Sequence, residues 1–291
     1  MSASFRLIHL SDPHLTVDVP FSIRLLTNKR IVGWLNLQFN RSKLHSNDVA
    51  FRAVEAIRSL TPDHVVVTGD LSNLALDQEF ALARTWLDGL DLPPKQVTVV
   101  PGNHDAYVSD TWRRASLLKA IRPYMQSDEE QDGSFPIVRT RGFVTLVGLS
   151  SAVPSPPLMA WGKLGRKQLD HVEQVLERTK GQFRVLSCHH PVQIGAGRWD
   201  NRLIDAESLR RILARKGAEL VLHGHLHRAM QGAVSGPMAG ISVLGVGSAS
   251  LAAGEGASKA QFRVIDVEHD GAWRQVLHVY DRGRRAFVPR G

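Results

Sequence analysis

Short β-branched runs alternate along the chain with stretches whose apolar residues recur every three to four positions, a pattern that predicts an α/β protein. Phe5–Leu10 reads as a first strand. Across Asn47 to Leu60, the residues Val49, Ala50, Ala53, Val54, Ile57 and Leu60 fall on one helical face. A strand over His64–Thr68 ends in Gly69-Asp70, and a helix over Leu76 to Leu90 buries Phe80, Ala83, Trp86, Leu87 and Leu90. Gln96–Val100 is a third strand, running into Pro101-Gly102. The same reasoning predicts a helix around Thr111–Tyr124, strands at Ile137–Thr140 and Phe143–Leu149, and a proline-rich loop at Ala152–Pro157. A helix over Leu164–Thr179 and a strand over Phe183–Cys188 follow. Asp205–Lys216 is helical, with Asp205 suited to cap its start and Gly217 to stop it. After a strand at Glu219–Leu222 the chain reads as mostly β from Ala229, with Ile241–Val246, Phe262–Val267 and Trp273–Tyr280.

No linker, repeat or low-complexity tract divides this pattern, so residues 1–291 read as one domain. One stretch breaks the alternation. Val19 to Ser46 carries Arg24, Lys29, Arg30, Arg41 and Lys43 without a single acid, interleaved with apolar residues such as Phe21, Leu25, Leu26 and Trp34. It is a basic, amphipathic insertion at about 19–46, read as a cap, a flap packed on the body or an oligomer contact.

Composition narrows the class without choosing a function. With 43% hydrophobic and 22% charged residues, the chain has the balance of a globular protein with a substantial core. No apolar run approaches bilayer length, and Met1-Ser2-Ala3-Ser4 leads straight into a strand without a signal peptide, so a cytoplasmic location is expected. The net charge of +8 favours anionic partners: phosphorylated substrates, nucleic acid or an acidic membrane surface. Cys188 is the only cysteine, which excludes an intramolecular disulfide; in its apolar run it reads as a small core residue at a strand end.

The chemistry is concentrated at strand ends. Of the 13 histidines, seven (His14, His104, His189, His190, His223, His225 and His227) lie in a few short windows, each just after a strand-like run. Loops at the carboxyl ends of strands converge on one crevice in α/β proteins, which is where ligands bind. Asp12-Pro13-His14 offers a carboxylate and an imidazole two residues apart, although an Asp before proline also opens ordinary turns. Gly69-Asp70 can turn tightly and present a carboxylate to two cations; by itself it is a common turn dipeptide. Gly102-Asn103-His104-Asp105 adds an amide oxygen that binds metal without adding charge, beside a histidine able to donate a proton. His189-His190-Pro191 is compatible with a ligand or a structural role. His223-Gly224-His225-Leu226-His227 is the strongest signal, because His-x-His in an extended segment points both rings to one side.

Taken in order, Asp12-x-His14, Gly69-Asp70, Gly102-Asn103-His104-Asp105, His189-x-Pro191 and Gly224-His225-x-His227 resemble the signature of the calcineurin-like metallophosphoesterase superfamily. The resemblance implies a four-layer α/β/β/α sandwich of two mixed β-sheets flanked by helices. It implies that Asp12, His14 and His227 hold one divalent cation, that Asn103, His189 and His225 hold a second, and that Asp70 bridges them. Asp70 and His104 are then the catalytic candidates, with His190 and His223 behind the ligands or at the rim. The mixed shell suits manganese, iron or zinc. The implied reaction is hydrolysis of a P–O bond by a hydroxide held between the cations, with His104 assisting the leaving group.

The stretch Leu158–Leu169, with Trp161-Gly162 and Gly165-x-x-Gln168-Leu169, is similar to the bacterial class III cyclic-nucleotide and glycerophosphodiester phosphodiesterase branch, which implies a small phosphodiester substrate. A second reading is a UDP-diacylglucosamine-type lipid pyrophosphate hydrolase using 19–46 at a membrane surface, although the branch of that type carries arginine where this chain has His104. A nuclease would need a capping domain for which the chain lacks length, so nucleic acid is not an expected partner. A non-catalytic metal-binding interaction module is the alternative of another class; the complete ligand set speaks against it. Oligomeric state is open.

Overall fold

The computed structural model describes residues 4–17, 44–106, 119–129, 135–156, 159–253 and 259–290. Most of the expected insertion at 19–46, and most of the helix expected around 111–124, lie outside the described residues. The elements used below are β1 (Phe5–Leu10), α1 (Asn47–Ser59), β2 (His64–Val67), α2 (Asp77–Asp88), β3 (Val97–Val99), β4 (Ile137–Arg141), β5 (Val144–Gly148) and α3 (Arg166–Arg178). They continue with β6 (Phe183–Ser187), α4 (Ala206–Lys216), β7 (Leu220–His223), β8 (Met230–Ser235), β9 (Gly240–Gly245), β10 (Gln261–Val267), β11 (Trp273–Asp281) and β12 (Ala286–Arg290).

The strands form two six-stranded mixed sheets, ordered β12-β11-β10-β1-β2-β3 and β4-β5-β6-β7-β9-β8. Within the first, β1, β2 and β3 run parallel; within the second, β5, β6, β7 and β9 do. Parallel pairing puts the carboxyl ends of these strands on one rim of each sheet, which is where the five motifs lie. The inner faces meet through Leu7, Val66 and Ile265 from one sheet and Leu146, Val185, Leu222 and Leu244 from the other. Burial of both faces explains why the central strands read as continuous apolar runs instead of alternating ones.

Helices close the outer faces. α1 and α2 cover the first sheet with Val49, Ala53, Ile57, Phe80 and Trp86, and α3 and α4 cover the second with Leu169, Val172, Leu176, Leu209 and Leu213. The result is the α/β/β/α sandwich. Ser46 caps α1, its hydroxyl accepting the Val49 N–H. Glu79 binds back to the Leu76 N–H at 3.0 Å and secures the first turn of α2.

One local expectation is revised and another is refined. Asp205 stands at the start of α4 but makes no side-chain cap there. Its carboxylate instead accepts the Leu164 and Gly165 N–H groups at 3.1 and 2.8 Å, pinning the entry to α3. The stretch from Ala229, read as mostly β, holds two strands beyond the three named there, β8 and the last strand, β12. The last strand contains Pro289, which lacks an N–H, and it is accommodated because β12 lies at a sheet edge. Cys188 is fully buried beyond β6, and burial pushes its thiol up to about 12. Among the described residues, no helix is long and apolar enough to cross a membrane.

Candidate metal centre

Five loops build the site. Those after β1, β2 and β3 bring Asp12 and His14, Asp70, and Asn103 and His104; those after β6 and β7 bring His189, and His225 and His227. The loops are laced together by the backbone. Asp12 N–H donates to the Gly69 carbonyl and His14 N–H to the Asp70 carbonyl, both at 3.0 Å, and Gly224 N–H donates to the His189 carbonyl at 3.1 Å. Two glycines make the close approach possible. A Cβ on Gly69, whose φ is +90°, would sit 2.5 Å from Gly102 N, and one on Gly224 would sit 1.8 Å from Ser11 Oγ.

Asp105 holds the second and third loops in register. Its carboxylate accepts the Gly102 and Ser72 N–H groups at 2.9 and 3.0 Å, the Leu71 N–H at 3.3 Å and the Ser72 hydroxyl at 3.0 Å. Burial, with the Asp70 charge nearby, pushes Asp105 up to about 6.

The backbone at the site is unusual. Asp12, His14, Asp70, His225 and His227 have φ of +53°, +42°, +54°, +70° and +50°, and they make up five of the nine non-glycine residues with positive φ among the described residues. Each such conformation costs about 1 kcal/mol or more and persists only where the surroundings enforce it. Clustering of this strain on the residues singled out by chemistry is independent evidence that their aim matters.

The side chains converge in two groups that share one carboxylate. On one side, His227 Nε2 lies 3.2 Å from Asp12 Oδ1 and 3.1 Å from His14 Nε2. On the other, His189 Nε2 lies 3.1 Å from Asn103 Oδ1 and 3.2 Å from His225 Nδ1. Asp70 Oδ2 faces both, 3.7 Å from His14 Nε2 and 3.3 Å from His189 Nε2. Ligands around a transition metal at about 2.0–2.1 Å stand roughly 3–3.4 Å from one another, so these spacings fit a cation at each group. Asp12 Oδ1 is buried with no hydrogen-bond donor aligned on it. A nitrogen or carboxylate oxygen from each of Asp12, His14, Asp70 and His227, and likewise of Asp70, His189 and His225, lies within 4.8 Å of its companions.

Electrostatics also call for cations. Burial would push both carboxyls up, yet His227 beside Asp12 holds it below the ordinary value, and His189, His104 and His14 hold Asp70 well below it. Among the described residues, their ion-pair partners are histidines only. Burial disfavours a charged His189, but Asp70 and Asp12 overcome this and raise it to about 9, so a positive charge is wanted there. Burial lowers His225 to about 3, with His189 adding to the effect, which keeps it a neutral imidazole fit to bind metal.

The non-metal nitrogens are engaged as metal-binding histidines require: His14 Nδ1 with the Ser72 carbonyl at 3.3 Å, His189 Nδ1 with that of Thr68 at 2.6 Å, and His225 Nε2 with that of Asn201 at 2.9 Å. His104 stands half-buried beside the pair. Its N–H donates to Asp70 Oδ1 at 2.8 Å and its Nδ1 contacts the Asn73 carbonyl at 2.8 Å.

All eight expected site residues are therefore brought together. His190 is not at the rim: it is fully buried, its ring 4.4 Å from that of His225, between Ser151 Oγ at 2.8 Å and the Ala160 carbonyl at 2.9 Å. His223 is buried too, accepting from the Gln193 amide at 3.2 Å. Sequence reasoning overlooked His45, whose ring lies 4.8 Å from that of His14. A single histidine in Lys43-Leu44-His45-Ser46 carries no spacing signal.

The chain is similar to known proteins in sequence and in fold. The chain is 26% identical over 229 residues to a probable cyclic nucleotide phosphodiesterase of Synechococcus sp., covering 77% of this chain and 80% of that one. It is 28% identical over 199 residues to a probable glycerophosphodiester phosphodiesterase, GpdQ, of Arcobacter nitrofigilis, covering 66% of each. Its fold is similar to that of the purple acid phosphatase PPD1 of yellow lupin, with a TM-score of 0.64 at 11% identity, and it spans 53% of that chain's length. The family model described as calcineurin-like phosphoesterase matches residues 5–229, a span that contains all five motif loops, and the chain belongs to that family.

Proposed function

We propose that this protein is a phosphodiesterase acting on a small phosphodiester with two divalent cations. Asp12, His14 and His227 hold one cation, Asn103, His189 and His225 hold the other, and Asp70 joins both. The observation that carries this reading is Asp70 Oδ2, which faces His14 Nε2 at 3.7 Å and His189 Nε2 at 3.3 Å. When bound, such a cation pair polarises phosphoryl oxygens and lowers the pKa of water to supply a nucleophile at neutral pH. Manganese, iron or zinc suits the mixed nitrogen and oxygen donors.

The chain's own residues do the rest. The His104 N–H fixes Asp70 Oδ1, so that Oδ2 stays turned towards both groups. Its imidazole is anchored through Nδ1 to the Asn73 carbonyl, which orients the ring beside Asp70; as an imidazolium it would donate a proton to the leaving oxygen. Ser11 and Gly224 keep the first and last motif loops in contact, so that Asp12 and His227 meet. The relatives named as phosphodiesterases support a diester over a monoester.

The test is a substrate panel with added Mn²⁺: a bis-aryl and a mono-aryl phosphate, cyclic nucleotides, a glycerophosphodiester and a UDP-acyl-sugar. Preference for the diesters is expected. Exclusive cleavage of the mono-aryl phosphate, or of the pyrophosphate, would overturn the assignment.

A further inference from the structure

The geometry points to His45 as an additional ligand of the cation held by Asp12, His14 and His227, an inference that rests on the two-cation reading above. A ring nitrogen of His45 lies within 4.8 Å of those of His14 and His227. The His45 ring meets both neighbours edge-on, at 4.8 Å from His14 and 5.5 Å from His227. The rings therefore do not stack face to face. His45 is 8% exposed, so it belongs to the wall of the site and not to the surface.

His45 is also held the way a ligating histidine is held. Nδ1 is 2.8 Å from Ser250 Oγ and 3.3 Å from Ser248 Oγ, and the Ser248 hydroxyl donates to the Asp12 carbonyl at 2.7 Å. The same hydroxyl network therefore fastens a ligand of this cation and His45. A partner on one ring nitrogen fixes the tautomer and turns the other nitrogen towards the metal. The backbone is fixed as well: His45 bridges Leu251, and Ser46 N–H donates to the Ser250 carbonyl at 2.9 Å. Ser250 and Ser248 lie between the second-sheet strand β9 and the first-sheet strand β10, so His45 is set by residues outside the five motifs in sequence.

His45 would add a third imidazole to those of His14 and His227; its nitrogen groups with theirs and not with the carboxylates of Asp12 and Asp70. Such a set of imidazoles shifts preference away from magnesium and calcium and towards zinc, iron, cobalt or nickel. The two cation positions would then differ in strength and selectivity, with the His45 position the tighter for nitrogen-preferring metals.

The experiment titrates the chelator-stripped full chain with Co²⁺, following visible absorption and competition with a chromophoric chelator. In His45→Ala, one of the two Co²⁺ sites is expected to weaken by about 10- to 100-fold or more, with a changed visible spectrum, while the other keeps its affinity. Ser250→Ala is expected to weaken the same site less, and His45→Gln guards against misfolding, with circular dichroism confirming the fold of each variant. Wild-type affinities and spectrum in both His45 variants would overturn the inference and leave the two-cation reading standing. A wild-type chain that binds no Co²⁺ would overturn both.

Discussion

Asp70 turns its carboxylate to both groups of the site, facing His14 on one side and His189 on the other. Asp70→Ala is expected to abolish hydrolysis and to lower the content of both metals, measured by elemental analysis of the purified protein. Retained turnover would refute the shared role. His104 is different in kind: its backbone N–H donates to Asp70 Oδ1, and its Nδ1 is tied to the Asn73 carbonyl. His104→Ala should keep both metals yet slow cleavage by about 10²–10⁴-fold for poor leaving groups, and less for a nitrophenolate. An equal effect on every leaving group would remove its imidazole from the reaction.

At the scale of elements, the site is a property of loops that follow parallel strands, and their contact is sterically exacting. Gly224→Ala would drive a Cβ into Ser11 Oγ and Asp12 Oδ2. A loss of about 1–3 kcal/mol is expected in urea unfolding, together with weakened metal binding, because the clash falls on the Asp12 loop itself. Strand β2 carries a second, separate test. Burial, with Arg139 and Arg141 nearby, lowers His64 well below its ordinary value, and its Nε2 pairs with Thr98 Oγ1 at 2.8 Å. His64 therefore takes up a proton less readily in the fold than in the unfolded chain, where an imidazole titrates near about 6.5. Its contribution to stability is present above about pH 6.5 and is lost as pH falls, with a slope of up to about 1.4 kcal/mol per pH unit. His64→Gln should flatten the fall in urea midpoint between about pH 6.5 and 5.5 relative to wild type. Parallel curves would place the titration elsewhere.

For the molecule as a whole, the proposed cation ligands come from both sheets, so bound cations would staple the sheets together. Asp12, His14, Asp70 and Asn103 belong to loops of the first sheet, and His189, His225 and His227 to loops of the second. Metals that bind only the folded chain stabilise it by mass action, by about 2.7 kcal/mol at a hundredfold excess over Kd. Loss of one such cation by chelation should therefore lower Tm by about 4–5 °C in a chain of 291 residues. Restoration by Mn²⁺ or Zn²⁺ but not by Ca²⁺ is expected by differential scanning fluorimetry, and an unchanged Tm on complete chelation would contradict the staple.

The local pattern was enough for the alternation of strands and helices, because buried parallel strands and amphipathic helices leave distinct periods in the chain. Gly69-Asp70 and His225-x-His227 were legible for the same reason: each set of donors is contiguous and follows a strand. Other features had no local signature. Asp205 looks like a cap from its neighbours, yet its carboxylate serves Leu164 and Gly165, which reach it only after the chain folds back. His190 sits behind His225 because Ser151 and Ala160 hold it there. His45 comes beside His14 through Ser248 and Ser250, distant in sequence and adjacent only in space. Sequence alone thus determined which donors exist and which strands carry them. Tertiary structure decided which nitrogen and oxygen atoms face one another, because that depends on contacts between loops of two different sheets.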